Sequence, residues 1–259
     1  MLLAIDCGNT NTVFAIASNS QINHIWRINT NINRTADEYA VWLLKLLEIE
    51  RLTFTDITDS VIASVVPEAM FSLKSFCEKH IKKTLMIVGE KSVDLGIDVN
   101  IDNPAEAGAD RLVNAVAINK FYKTPSIVID FGTATTFDVI GENGSYEGGL
   151  IAPGVNLSIE ALYMAASRLP RISINPIQKN VSIIGKNTKS SMFSGIYWGY
   201  ISMVEGIVKR IMEEQKINFF VLATGGLAGL FSQHCIVIQS VDESLTIKGL
   251  IHIYNLNKI

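Results

Sequence analysis

Residues 2–16 read LLAIDCGNTNTVFAI, and residues 127–140 read IVIDFGTATTFDVI. Each stretch is an apolar run, an Asp-x-Gly turn rich in Thr or Asn, and a second apolar run, the pattern of a β-hairpin with a polar tip. The two aspartates, Asp6 and Asp130, lie about half the chain length apart. A duplicated domain explains this spacing better than a solenoid, whose repeats run about 20 to 50 residues.

The rest of each half predicts the same order of elements. The first half should continue with strands at 22–28, 61–66 and 85–88 and with helices that begin at Thr35, Pro67 and Pro104. The second half should contain strands at 148–152, 219–223 and 236–239 and helices at 155–168, 188–215 and 243–254, with a short helix before residue 236. Both halves therefore read β-β-β-α-β-α-β-α. We expect an α/β protein of two domains, 1–121 and 122–259, that meet at a short turn ending in Pro125.

Composition limits the classes of function. Apolar residues make up 48% of the 259 positions and charged residues 18%, as expected for a globular chain with a sizeable core. A net charge of -3 gives no basic footprint for nucleic acid, and no apolar run reaches the roughly 18 residues of a membrane helix. Three widely spaced cysteines, Cys7, Cys77 and Cys235, predict buried thiols rather than disulfides. We therefore expect a cytoplasmic protein that binds neither nucleic acid nor membrane.

The first Asp-x-Gly tip has the chemistry of a phosphate site. Gly8 has no Cβ, so backbone N–H groups can approach an anion closely, while Asn9, Thr10 and Thr12 add neutral donors. Asp6, at the end of an apolar strand, would need a cation or donors, and the Mg²⁺ of a nucleotide supplies one. An ordinary turn is the alternative, but a second copy in the equivalent place argues against it.

The second tip repeats these features with Asp130, Gly132 and Thr133. A third glycine-rich segment, ATGGLAG at 223–229, follows a predicted strand and opens a helix, where it could present backbone donors or pack against a base or ribose. The series resembles the order of two phosphate motifs and an adenosine motif in actin-like ATPases and kinases. No Gly-x₄-Gly-Lys-Ser/Thr sequence occurs, so a P-loop kinase is not expected.

Between the tips, residues 102–115 read DNPAEAGADRLVNA. With Asn103 as N-cap and Pro104 as first helical residue, Asp110 is predicted near the second turn of a helix. There it could accept a proton from a hydroxyl group while Arg111 binds a substrate carboxylate through two hydrogen bonds. Spacing alone leaves open an ordinary Asp–Arg pair on a solvated helix face.

Taken together, five segments resemble those of type III pantothenate kinases, members of the acetate and sugar kinase/Hsp70/actin superfamily. They are Asp6-x-Gly8-Asn9-Thr10, the sequences GADR at 108–111, DFGTATT at 130–136 and GGLIAPG at 148–154, and Thr188 ahead of Ser194-Gly195. The similarity extends over essentially the whole chain in the right order. It implies duplicated actin-like (ribonuclease H-like) domains, each with a mixed five-stranded sheet.

The resemblance also implies an activity, the phosphorylation of pantothenate by ATP to 4′-phosphopantothenate in the first step of coenzyme A biosynthesis. By resemblance, ATP would be bound by Asp6, Gly8, Asn9, Thr10, Asn11, Thr12, Val13 and Thr133. Pantothenate would be bound by Gly108, Ala109, Asp110, Arg111 and Thr188. Asp110 would be the general base, Asp6 would hold Mg²⁺ with ATP, and Asp130 would hold K⁺ or NH₄⁺.

Members of this family are homodimers with active sites near the subunit interface. The predicted helix 188–215 carries Gly195 and Gly199 on one stripe and is the candidate dimer contact, with simple core burial as the alternative. One departure from the family is Ile101, where many members have a tyrosine, which puts one substrate contact in doubt. Two rival functions remain open: a regulatory homologue of the Bvg accessory factor type, and another actin-fold phosphotransferase or polyphosphate hydrolase.

Overall fold

The structure is a computed structural model that describes residues 1–83, 85–166, 168–175 and 182–258. Its strands are β1 Leu2–Cys7, β2 Asn11–Ser18, β3 Gln21–Asn29, β4 Asp59–Ser64, β5 Leu85–Ile87, β6 Ser126–Phe131, β7 Ala134–Ile140, β8 Tyr146–Pro153, β9 Phe220–Thr224 and β10 Ser240–Val241. Its helices are α1 Ala36–Ile49, α2 Pro67–Phe76, α3 Ala109–Phe121, α4 Val155–Ala165, α5 Thr188–Gln215, α6 Ala228–Phe231 and α7 Leu245–Asn257. Within the described part of the chain, no helix is long and apolar enough to span a membrane.

The strands form two mixed five-stranded sheets with equivalent topology. Their orders are β3-β2-β1-β4-β5 and β8-β7-β6-β9-β10. In each sheet the first strand of the hairpin is central, because it pairs antiparallel with the next strand and parallel with the strand that returns after the helices. The predicted α/β duplication with two mixed five-stranded sheets is confirmed.

In both central strands, every residue except the aspartate is buried. In β1 and in β6 five of six residues are buried, and the partly exposed one is Asp6 or Asp130. Near-continuous apolar runs of this kind are typical of strands covered on both faces. Each carboxylate therefore lies at the carboxyl end of a central strand, where parallel sheets present their binding residues.

By internal contacts the chain divides into two compact units. The first comprises residues 1–122, residues 144–146 and the residues from 244 onward, and the second comprises 123–143 and 147–243. The sequence interpretation gave all residues after 121 to the second domain, whereas helix α7 packs in the first. Its Leu250 and Ile253 join the apolar cluster of Val113 and Val116 on α3. A Cβ at Gly249 would collide with Val113, so the two helices approach closely.

Each unit has its own apolar core. In the first unit, one face of the sheet packs against α1 and α2 through residues such as Phe14, Tyr39 and Phe76. The opposite face packs against α3 and α7. In the second unit the core joins β6 to α5 and α6, with Ile129 and Tyr197 fully buried. The helices that carry candidate site residues are thus fixed by packing on the same sheets that carry the aspartates.

The prediction that a helix begins at Pro104 was wrong. Pro104–Glu106 form a single 3₁₀ turn, in which Asn103 Nδ2 donates to Glu106 Oε1 at 2.8 Å. Ala107 is extended, with φ -67° and ψ 125°, and this interrupts the helix. Helix α3 then begins at Ala109 with Gly108 as its N-cap. Asp110 consequently lies in the first turn of the helix and not in the second.

Three other elements test the predicted boundaries. Helix α5 has the predicted limits, 188–215. Helix α4 ends at Ala165, short of the predicted residue 168, and residue 167 lies outside the described residues. The strand predicted at 236–239 is wrong, because successive turns continue to Ile238, whose N–H donates to Cys235 O, and β10 covers only Ser240–Val241.

Candidate active site

The first tip is a tight turn between β1 and β2. Gly8 N donates to Asn11 O at 3.0 Å, and a Cβ at Gly8 would lie only 3.3 Å from that oxygen. Asn9, Thr10 and Asn11 are exposed, while Asp6 is partly exposed at the strand end. The turn therefore presents a glycine, neutral polar side chains and one carboxylate to a ligand, as expected for a phosphate site.

Polar contacts from the end of β3 hold the tip in place. Thr30 Oγ1 donates to Gly8 O at 2.6 Å, and Thr30 N donates to Thr10 O at 2.9 Å. Thr12 is fully buried, and its hydroxyl lies 2.9 Å from Thr30 Oγ1 and 3.6 Å from Cys7 Sγ. The side chain of Thr12 thus stabilises the turn from the protein interior and is not presented to a ligand. Sequence reasoning missed Thr30, because its position is set by the register of β3.

The start of α3 places the candidate residues Asp110 and Arg111 next to each other in the first unit. Asp110 Oδ1 accepts a hydrogen bond from Arg111 N at 2.8 Å. A Cβ at Gly108 would lie 2.6 Å from the same oxygen, so the glycine leaves room for the carboxylate. Burial raises the pKa of Asp110, against the opposing effects of the Arg111 N–H and charge. A carboxyl group with a raised pKa is a stronger general base than an exposed aspartate.

Arg111 contacts an aromatic ring that the sequence interpretation did not include. Its guanidinium carbon lies 5.7 Å from the ring centroid of Tyr146, and only 1% of Tyr146 is exposed. Tyr146 is the first residue of β8 and belongs to the first unit. No spacing rule could pair residue 146 with residue 111, because the contact depends on how the β7–β8 turn packs.

The second tip is closely approached by two glycine-containing segments. Gly132 N donates to Ala134 O at 3.0 Å, and Thr133 is exposed. A Cβ at Gly154 would collide with Thr133 O, and a Cβ at Gly225 would collide with the Asp130 carboxylate. Gly225 has a φ of +88°, which L side chains rarely adopt.

Side-chain contacts fix both of these segments within the second unit. Tyr200 on α5 donates from its hydroxyl to Pro153 O at 2.7 Å, next to Gly154. Thr224 Oγ1 donates to Asp242 O at 2.7 Å, next to Gly225. These bonds anchor the residues that precede each glycine, so both approaches to the tip are built into the fold.

The remaining predicted substrate residue, Thr188, is the first residue of α5 in the second unit. Asn187 caps this helix and accepts from Ser190 N at 2.9 Å. Ile101 is partly buried and follows Asn100, whose N–H donates to Tyr146 O at 2.8 Å.

The described residues contain no group of three or more His, Cys, Asp and Glu side chains that could hold a metal ion. A site built on Asp6 would therefore supply one carboxylate, which fits Mg²⁺, because proteins usually hold this ion with one or two carboxylates and substrate phosphates. At Asp130, the close approach of Gly225 makes a cradle that any Cβ would fill. The Asp130 carboxylate is the group at this place that would hold a monovalent cation.

Comparison with known proteins identifies the family. The sequence model of the family described as type III pantothenate kinase matches residues 2–210. The chain belongs to this family. It is 52% identical over 257 residues to a type III pantothenate kinase of Paramagnetospirillum magneticum, covering 99% of this chain and 98% of that one. It is 53% identical over 258 residues to a type III pantothenate kinase of Rhodospirillum rubrum, covering 100% and 99%.

Solved structures show the same fold at low sequence identity. A putative Baf family transcriptional activator from Campylobacter jejuni aligns with a TM-score of 0.60 at 17% identity, covering 98% of each chain. The activator of 2-hydroxyisocaproyl-CoA dehydratase from Clostridium difficile, with bound ADPNP, aligns with a TM-score of 0.55 at 16% identity, covering 99% of this chain and 95% of that one. This member of the type III pantothenate kinase family therefore has the duplicated actin-like fold.

Proposed function

We propose that this chain transfers the γ-phosphate of ATP to the primary hydroxyl of pantothenate, giving 4′-phosphopantothenate in the first step of coenzyme A synthesis. The observation that carries the proposal is the first turn of α3, where a partly buried carboxylate with a raised pKa lies beside an arginine. An alcohol acceptor with a carboxylate at its other end requires these two groups. Membership of the family supplies the identity of that acceptor.

On the acceptor side, we assign the proton transfer to Asp110. Its carboxylate takes the proton of the pantothenate hydroxyl as that oxygen attacks the γ-phosphorus, while the bond from this phosphorus to the β,γ-bridging oxygen breaks and ADP leaves. Arg111 binds the pantothenate carboxylate through two parallel N–H donors, which fixes the distance of the hydroxyl from Asp110. Gly108 and Ala109 line this turn with their backbone, and family resemblance makes Thr188 a further candidate for acceptor binding.

On the nucleotide side, the phosphates lie against the first tip. Residues 8–13 provide backbone N–H groups and exposed Asn9 and Thr10 side chains. Family resemblance makes Thr133, which is exposed on the second tip, a further candidate for nucleotide binding. Asp6 would hold Mg²⁺ together with ATP, and Asp130 would hold K⁺ or NH₄⁺. These cations, when bound, neutralise the charge of the phosphate oxygens.

We also propose a homodimer with active sites near the subunit interface. Apolar side chains of β8 and α4 are exposed, with Ile151 at 68%, Leu157 at 53% and Met164 at 73%. On α5, Gly195 and Gly199 are exposed and a Cβ at either would meet no atom within 4 Å, which leaves room for a neighbouring helix. The same helix also buries Tyr197 and other residues in the core, so it would serve both roles.

The dimer and the location are both testable. Leu157→Glu should convert a dimer to a monomer in sedimentation velocity, and a wild-type chain that sediments as a monomer would contradict the assembly. A cytoplasmic location is supported by the three free cysteines, all buried, as expected in a reducing compartment.

The activity is tested by ADP release from Mg-ATP, with and without pantothenate, in K⁺ and in Na⁺ buffers, with Asp110→Asn as the control. Release that requires pantothenate, is stimulated by K⁺ and disappears in the variant supports the proposal. Release without pantothenate would indicate a polyphosphate hydrolase or another phosphotransferase. No release at all would favour a regulatory homologue of the Bvg accessory factor type.

A further inference from the structure

The turn between β7 and β8 packs onto helix α3 at two places in the first unit. At the first place, Gly144 lies so close to Asn119 that a Cβ would collide with its side-chain amide, and its φ is +79°. At the second place, the buried ring of Tyr146 lies against the guanidinium of Arg111. The turn therefore contacts both ends of α3.

Backbone hydrogen bonds fix Tyr146 itself. Tyr146 N donates to Asp98 O and Asn100 N donates to Tyr146 O, both at 2.8 Å, which makes a parallel bridge around Val99. A fully buried ring held by its backbone has little freedom to move. The guanidinium of Arg111 accordingly rests on a fixed surface.

Stacking on a ring has a defined consequence for arginine. The N–H groups of a guanidinium lie in its plane, so a ring beside one face restricts the side chain without itself occupying those donors. Restricting a long side chain before the ligand arrives also reduces the entropy lost on binding. Asp110, which is adjacent to Arg111 in the sequence, has no such aromatic contact and would not be affected in the same way.

We propose that Tyr146 is a positioning residue that aims Arg111 at the carboxylate of the acceptor. This inference rests on the proposed function, because it takes Arg111 as the acceptor-binding residue. It assigns to the β7–β8 turn a role in the affinity for the acceptor and none in the proton transfer.

The test compares Tyr146→Leu, which removes the ring, with Tyr146→Phe, which keeps it. The Leu variant should raise the KM for pantothenate up to about tenfold, since a long side chain that must be ordered on binding costs roughly a factor of 2 to 10 in affinity. Its kcat and its KM for ATP should change by less than about threefold, and the Phe variant should restore the wild-type KM. Tyr254→Leu is the matched control, because Lys258 lies 5.6 Å from the Tyr254 ring in the same unit.

A second readout does not depend on the substrate. The side-chain Nε–Hε NMR signal of Arg111, assigned through Arg111→Lys, should shift when the Tyr146 ring is removed and should stay in place in Tyr254→Leu. If wild type does not turn over pantothenate, the proposed function fails and the assignment of Arg111 to the acceptor fails with it, whereas wild-type turnover with an unchanged KM in Tyr146→Leu overturns the positioning role alone. An unshifted signal, or equal losses of kcat and both KM values as in an unfolded fraction, would overturn the positioning role.

Discussion

The first hairpin closes with Gly8 N donating to Asn11 O, and the second closes with Gly132 N donating to Ala134 O, both at 3.0 Å. The central strands even share one burial pattern. Their surroundings differ. The first turn has one more residue between its strands, presents Asn9 and Thr10 to solvent, and is held from below by Thr30.

The second turn is instead contacted closely by two other segments of the second unit. Gly154 and Gly225 approach it so closely that neither could carry a side chain, and Phe131 stacks on Phe231 at a centroid distance of 5.0 Å with an interplanar angle of 6°. We call the first turn open and the second enclosed, because Gly154 and Gly225 pack against the second, although Gly132 and Thr133 remain exposed. The proposed ligands follow this difference, with the nucleotide phosphates at the open turn and K⁺ or NH₄⁺ at the Asp130 carboxylate of the enclosed turn.

Replacing Asp6 or Asp130 with Asn should have the largest effect on turnover and should distinguish nucleotide binding at the first turn from cation binding at the second. Asp6→Asn should lower kcat by about 10²-fold or more, because the Mg²⁺ of the nucleotide loses its protein carboxylate. Asp130→Asn should lower turnover less and should abolish the difference between K⁺ and Na⁺ buffers. Steady-state ADP release across both ions measures the two effects, and a K⁺ response that survives in Asp130→Asn would contradict the assignment of the cation.

A methyl group at the enclosed turn should cost stability. Gly225→Ala forces a Cβ into the Asp130 carboxylate and into a φ of +88°, so it should lower the free energy of unfolding by about 1–3 kcal/mol. Gly226→Ala is the matched control, since a Cβ there meets nothing within 4 Å, and it should change stability by less than about 0.5 kcal/mol. Urea unfolding measures both, and equal values would show that the enclosure is not tight.

The same substitution at the open turn should act on the ligand instead. A Cβ at Gly8 would lie 3.3 Å from Asn11 O, so the neighbour needs to move only by tenths of an ångström and the fold should tolerate it. Gly8→Ala should therefore lose less than about 1 kcal/mol of stability but raise the KM for ATP about tenfold by blocking the close approach of phosphate. A KM for ATP that stays at the wild-type value would remove Gly8 from the nucleotide site.

The two helices that pack together in the first unit, α3 and α7, differ at their first turns, and the expected effect is a shift in pH dependence. Helix α3 begins with Asp110 in its first turn, whereas α7 begins with Leu245. Because burial raises the pKa of Asp110 above its ordinary 3.8, the acid limb of kcat/KM for pantothenate should lie above that value. A limb at or below it would exclude Asp110 as the base.

The raised pKa of Asp110 also predicts how the free energy of unfolding depends on pH. The folded state binds the Asp110 proton more tightly than the unfolded state, so stability falls as pH rises from the ordinary carboxyl pKa through the raised one. Asn cannot ionise, and Asp110→Asn should be at least as stable as wild type at neutral pH. Thermal unfolding at neutral and acid pH checks this, and a destabilised variant would mean that the carboxylate has a structural role.

Structural features that depend on neighbouring residues or on a repeating apolar pattern were predicted correctly from the sequence. The two hairpins and the limits of α5 follow from apolar period and capping, and all are present in the structure. The first half has the predicted order β-β-β-α-β-α-β-α, whereas the second half has two consecutive helices, α4 and α5, between β8 and β9. The predicted start of α3 was wrong because a Pro after a good N-cap residue can begin either an α-helix or a 3₁₀ turn. The extended backbone of Ala107, which ends the 3₁₀ turn before α3, could not be read from the sequence.

Features that depend on distant residues could not be predicted. The contact of Arg111 with Tyr146, the close approach of Gly225 to Asp130 and the packing of α7 on α3 each join positions far apart in the chain. Thr12 was grouped with the exposed donors of the tip, although the strand pairing turns it inward to Thr30. A residue type in a motif indicates which chemistry is available, and packing decides where the side chain points.

The most direct test of the account follows the phosphate itself in a single turnover. Wild type and Asp110→Asn, at enzyme in excess over γ-labelled Mg-ATP, are mixed with saturating pantothenate in K⁺ buffer and the labelled products are separated. We predict that wild type places the label in 4′-phosphopantothenate and that the variant does so about 10²- to 10⁴-fold more slowly. Label that appears only as inorganic phosphate, or a variant within a few-fold of wild type, would contradict the account.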